Sequence, residues 1–195
     1  MSEPATNTKS RILDVAQDLI QRRGLNAMSF QDLSDAVGIR KASVHHYFAS
    51  KHEMVNALLE RYQADFADAV GQILRSRGSG KTKLSRYFGL FQQTLQSGQH
   101  DRSCLCGMLL AEMSSLDNDG ITLVRAFLRS NVGNIYEMLT AGMNDGSLSV
   151  RGDLETASEL VLATLEGGLL FARCDGGPKR FSQMLHGLMT LLSAG

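Results

Sequence analysis

A chain of 195 residues with 43% hydrophobic and 21% charged residues has ordinary globular composition, which excludes wholesale disorder and a collagen-like or disulfide-dense fold. Twenty Lys and Arg balance twenty Asp and Glu, so any surface for nucleic acid must be local rather than a property of the whole chain. No apolar stretch approaches the roughly 18 to 20 residues of a membrane span, the polar start MSEPATNTKSR lacks a signal-peptide core, and three cysteines suit reduced thiols; the expectation is a cytoplasmic protein with no membrane partner.

Only two prolines occur, Pro4 and Pro178, and apolar residues recur at helical spacing, so an all-α fold of about nine helices is predicted. The first helix spans about residues 8–23, with Ile12, Leu13, Val15, Ala16, Leu19 and Ile20 in one stripe. Gly24 stops it, and Leu25 is placed to close a Schellman-type cap. Ser29 and Asp32 form a capping-box pattern that opens a short helix through Val37, ended by Gly38. A second short helix, 41–48, begins three residues later, which is the spacing of a helix-turn-helix.

After the break at Ala49-Ser50, a stripe from Met54 to Leu74 predicts one long amphipathic helix over 51–77. The chain turns back at Gly78-Ser79-Gly80, and helical segments follow at 82–97, 103–116, 121–143, 153–173 and 179–193. The predicted organisation is a three-helix helix-turn-helix domain over 1–50 and a helical bundle over 51–195.

From Ala36 to His52 there is no carboxylate, while Arg40, Lys41 and Lys51 are basic and His45, His46 and His52 can become so. Val44 and Phe48, four apart, should face inward and leave Arg40, Lys41, Ser43, His45, His46 and Tyr47 outward, with Ala42 too small to obstruct close approach. Such a helix suits the major groove of DNA, and Lys51 at the next helix start suits a phosphate. A merely solvated basic face has the same charge pattern.

Residues 11–54, with the RILDVA opening, Gly24, the Ser29 to Val37 helix, Gly38-Ile39, HHYF and Ser50-Lys51, resemble the DNA-binding region of the TetR (tetracycline-repressor-like) family of bacterial transcription regulators. The resemblance implies a homodimer that represses by placing one short helix per subunit in an operator half-site until a small effector releases it. It puts Arg40, Lys41, Ala42 and His45 where the family reads bases, and Ser43, His46, Tyr47 and Lys51 where it grips phosphate. His45 stands where tyrosine is more typical, and Ala49 where proline is frequent. A helical protein-interaction module without DNA binding is the alternative.

In the C-terminal bundle, which the resemblance makes the ligand-binding and dimerisation domain, Leu160, Val161, Thr164, Leu165, Gly168, Leu185, Leu188, Met189 and Leu192 are expected at a subunit interface. Phe66, Phe88, Phe91, Cys104, Met108, Met113, Phe127, Asn131 and Met138 are the candidates for an effector pocket, although plain core is the commoner role for such residues.

For Cys104 and Cys106 in RSCLCGMLLAEM three readings stand: inert buried thiols, a metal site with His100, or a reactive thiol favoured at Cys104 by Arg102 and a helix start. The metal reading lacks a fourth ligand and the usual spacing, so no metal is expected. The run CLCGMLLAEM is similar to the corresponding stretch of TetR-like regulators related to those sensing reactive electrophiles or small unsaturated acids, which implies a thiol sensor at Cys104 with Cys106 second. Cys174 is expected at a loop or helix end. Cys104 with His100 has no evident third catalytic group, and no phosphate-binding or dinucleotide fingerprint is present, so neither enzyme activity nor a cofactor is expected.

Overall fold

The computed structural model describes residues 5–96 and 101–193, so His100 and the metal reading built on it lie outside the described residues. The described chain is all-α. Its nine α-helices are α1 (Ala5–Arg23), α2 (Phe30–Val37), α3 (Lys41–Tyr47), α4 (Lys51–Arg75), α5 (Gly80–Gln96), α6 (Leu105–Ala111), α7 (Asn118–Asn144), α8 (Leu154–Cys174) and α9 (Gly177–Leu192). The segment expected as one helix over 103–116 is instead α6 followed by a 3-10 turn, Met113–Ser115. Bonds from Glu112 N–H to the Leu109 carbonyl (3.1 Å) and from Ser115 N–H to the Glu112 carbonyl (2.8 Å) tighten the chain there and end the α-helix.

The chain packs as two compact units. One comprises Met1–Ala64 with Leu105–Arg125, the other Asp65–Cys104 with Ala126–Gly195. The divisions fall inside α4 and α7 rather than at Ser50, where the helix-turn-helix domain was expected to end. A continuous helix can change packing partners partway along, and that change leaves no mark on its own periodicity.

In the first unit, Ile12, Leu13, Ala16 and Ile20 of the α1 stripe are buried, and α1 packs on α2 and α6. Gly24 takes φ 87°, and its N–H bonds the Ile20 carbonyl at 2.9 Å, an αL cap. The expected Schellman closure is not made, because the Leu25 N–H donates to the Glu112 carboxylate instead. Both halves of the Ser29–Asp32 capping box are present. Gly38, at φ 76°, ends α2, and the Arg11 guanidinium meets the free Val37 carbonyl at 3.0 Å. Val44 and Phe48 are buried, so α3 is seated by the two residues that were expected to face inward. The Ser50 hydroxyl accepts the Glu53 N–H at 3.1 Å and caps α4.

In the second unit α5, α8 and α9 pack on one another. One close backbone approach needs glycine, and a second position is tight. A methyl on Gly80 would overlap the backbone N of Gly142, and one on Gly168 would lie 3.0 Å from the Phe181 ring. Gly80→Ala is therefore expected to destabilise the protein by about 2 kcal/mol or more, because rigid backbone cannot move aside. Gly89→Ala, inside the same helix with nothing within 4 Å of the added methyl, should stabilise by about 0.5 to 1 kcal/mol. Urea unfolding of the two variants checks both signs.

Candidate functional site

On α3 and its flanks Arg40, Lys41, Ala42, His45 and His46 are exposed, and Ser43 and Tyr47 are half-buried. The His45 ring meets the edge of Phe30 with centroids 4.8 Å apart, and His46 meets Tyr47 at 5.5 Å, so the rings are partly ordered before any partner arrives. Both carboxylates of α2 are engaged within the chain, Asp35 by the Gln31 amide at 2.8 Å and Asp32 more strongly. The Ser29 hydroxyl, the Arg23 guanidinium at 2.8 Å and the Ser29 N–H hold its pKa at about 2. The outward surface is thus cationic and rich in donors, a match for phosphate oxygens and base edges.

Lys51 is placed differently from the expectation of an ammonium aimed outward at phosphate. Its Nζ donates to the carbonyls of Leu25 and, at 2.6 Å, Met28, so two of its three donors hold the α1–α2 turn. Burial lowers its pKa, while the nearby carboxylates of Glu112 and Asp32 act the other way. Glu112 grips the same turn, accepting the N–H groups of Leu25 and, at 3.3 Å, Asn26. Glu112 was not singled out in the sequence. Only its place after the helix-ending run LLA, without a local cap, hinted at a remote partner.

In the second unit, Phe66 on α4 lies edge-on to Tyr87 (6.1 Å), Phe91 (5.9 Å) and Phe127 (5.2 Å). The Tyr87 hydroxyl donates to Asn131 Oδ1 at 2.7 Å, and Asn131 Nδ2 donates to the Phe127 carbonyl at 2.8 Å. Phe66, Phe91, Phe127 and Asn131 are thereby brought together. Phe88, Cys104 and Met138 are buried in the same unit, whereas Met108 and Met113 belong to the other.

Glu166 on α8 joins the second unit and was missed in the sequence. Both its carboxyl oxygens are buried and neither has a hydrogen-bond partner among the described residues. Burial pushes its pKa up to about 7, and the Cys104 thiol lies near enough to favour the charged form slightly while falling short of hydrogen-bond geometry. Burial first, then Glu166 and Cys104, push the Tyr87 hydroxyl well above its usual value. A lone carboxylate inside the otherwise uncharged run LVLATLEGGLL was the available signal.

The thiols are not set as the sensor reading required. Cys104 sits just ahead of α6, buried and beside a carboxyl, and Cys106 is fully buried; Cys174, the last residue of α8, is exposed. All three are free.

Residues 12–58 match the profile of the family described as bacterial regulatory proteins, tetR family. This segment is a TetR-family N-terminal domain. The chain is 28% identical over 170 residues to the HTH-type transcriptional repressor NemR of Escherichia coli K12, covering 86% of this chain and 84% of that protein. It is 25% identical over 167 residues to the repressor KstR2 of Rhodococcus jostii, covering 76% and 72%. A crystal structure of a TetR-family regulator from Agrobacterium tumefaciens superposes with a TM-score of 0.91 at 28% identity, over 97% of this chain and 99% of that one.

The interface candidates divide. Val161, Leu165, Gly168, Leu185 and Leu192 are buried in the subunit's own core, where α8 meets α9, and are corrected to intramolecular packing. Thr164, Leu188 and Met189 are half-buried, and Leu160 is 63% exposed. Phe171 at 64% and Leu191 at 82%, both missed, are also exposed. Leu160, Thr164, Gly167 and Phe171 recur at i, i+4, i+7 and i+11, a second stripe on α8 beside the core-facing one.

Two predictions follow from this geometry. Lys51→Met should lower unfolding free energy by about 1.5 to 3 kcal/mol, since two charge-assisted bonds to buried carbonyls are lost, while changing the salt dependence of duplex binding little. Chemical denaturation and salt titration of the same variant read the two effects separately. For Glu166, the unfolded carboxyl titrates near 4.5 and the folded one near 7, so between these values the folded state holds the extra proton and raising the pH destabilises it. Unfolding free energy should fall by up to about 3 kcal/mol between pH 5 and 8 from this group, a fall that Glu166→Gln removes in urea melts at the two pH values.

Proposed function

We propose that this protein is a ligand-responsive DNA-binding transcriptional repressor that acts as a homodimer on a double-stranded operator. The observation that carries the reading is the exposed, carboxylate-free α3 inside the segment that matches the TetR family. Relatives named as repressors over most of the chain support it. Arg40, Lys41, Ala42 and His45 read base edges, and Ser43, His46 and Tyr47 hold phosphates; Lys51 acts by positioning the turn beneath them.

The second subunit docks on the stripe of Leu160, Thr164, Gly167 and Phe171 together with Leu191 on α9. Two-fold pairing sets two α3 helices at successive major grooves, about 34 to 36 Å apart. The effector binds the unit containing Phe66, Tyr87, Phe91, Phe127 and Asn131, favouring a dimer form that no longer spans the half-sites, and linkage makes operator and effector mutually antagonistic. Burial of both Cys104 and Cys106 favours a non-covalent effector over thiol modification as the trigger. No described helix is long and apolar enough to cross a membrane, in keeping with action on DNA in the cytoplasm.

Selection from a random duplex library, followed by binding titrations across salt concentrations, tests the reading. The expected result is a palindromic consensus bound by a dimer. Lys41→Ala should shallow the log-affinity against log-salt slope by about one unit. Leu160→Glu with Phe171→Glu should give monomers in light scattering and weak operator binding. Absence of any enriched sequence would refute the proposal.

A further inference from the structure

We infer that the effector carries a protonated amine, and that Glu166 on α8 receives it among the aromatic rings of α4, α5 and α7. This rests on the reading of the second unit as the effector-binding one. A carboxyl group with both oxygens buried and no hydrogen-bond partner among the described residues is costly to keep, and an incoming donor relieves that cost. The two strong donors of the aromatic cluster are committed, the Tyr87 hydroxyl to Asn131 and the Asn131 amide to the Phe127 carbonyl, which leaves only the weak Cys104 thiol beside the carboxyl.

The titratable groups that act with Glu166 are few. From α5 comes Tyr87, a neutral phenol whose pKa burial raises further, and from the segment ahead of α6 comes the Cys104 thiol. From α9, Phe181 and Met184 lie against α8 at Gly168 and bring no charge. No lysine, arginine or histidine among the described residues offsets the Glu166 charge. Around Tyr87 stand the rings of Phe66 and Phe91, and Phe66 also meets Phe127. Ring faces attract cations, and a carboxylate among them selects a positive charge over a neutral or negative one. Phe66 and the stem of Glu166 are only half-buried, so rings and carboxyl are not sealed against a guest. A small unsaturated acid, the effector class implied by the CLCGMLLAEM resemblance, would instead bring a second carboxylate to this one.

Calorimetry on the full-length protein with three probes of similar shape tests the inference: 2-phenylethylammonium, 2-phenylethanol and 3-phenylpropanoate. The amine should bind most tightly. With a free carboxyl near pKa 7, about a tenth is ionised at pH 6 and about nine-tenths at pH 8, so amine affinity should rise about tenfold over that range. Glu166→Gln should weaken the amine at least tenfold while leaving the alcohol within about twofold.

Equal or tighter binding of the alcohol or the acid, amine affinity that falls as pH rises, or an unaffected Glu166→Gln variant would each overturn the inference. The wild-type pH profile decides the matter even if the variant does not fold. Failure of all three probes to bind also overturns it, leaving the repressor reading intact so long as the same preparation binds its selected duplex.

Discussion

The backbone between Leu25 and Met28 is gripped by two oppositely charged side chains: the Lys51 ammonium takes carbonyls of Leu25 and Met28, and the Glu112 carboxylate takes the N–H groups of Leu25 and Asn26. A helix of 8 residues and one of 7 cannot persist alone, and α3 is seated chiefly by Val44 and Phe48, its two buried anchors, with the His45 ring against Phe30. Its orientation is inherited from α2, and the start of α2 is set by the gripped turn. The bonds on that turn are charge-assisted and made to groups a water molecule could otherwise claim, so they hold it more firmly than neutral contacts would.

The same device links α3 to a distant part of the chain. Glu112 follows α6, the helix that packs on α1 within the first unit. A shift of α6 would therefore be felt at the turn by way of a carboxylate as well as through the packing of α6 on α1. That is the physical content a release mechanism needs: two groups whose relative placement an effector can bias, joined to the surface proposed to read DNA.

Charge is spent differently in the second unit. Tyr87, Asn131 and the Phe127 carbonyl form a closed line of hydrogen bonds inside an aromatic cluster, whereas Glu166 has both oxygens buried and unmatched among the described residues. Satisfied polar groups make a core specific, and an unsatisfied one leaves a demand for a guest. The exposed stripe of Leu160 and Phe171 on the other side of α8 is a second unmet demand, this one for apolar cover.

Local signals in the sequence determined the elements, the short exposed helix α3 among them. Glycines at φ 87° and 76°, the Ser29–Asp32 box and the i, i+4 pair Val44 and Phe48 act within a turn or two of chain, and the residues carrying them are neighbours in sequence. What only the tertiary structure decided involves groups 23 to 87 residues apart: the Lys51 and Glu112 grip, and the burial of Glu166 near Cys104 and Tyr87. Periodicity marks a residue as apolar or polar but does not say which neighbour covers it. For that reason Val161 and Leu165 read as interface when they are core, and a lysine at a helix start read as a phosphate ligand when backbone carbonyls had already claimed it.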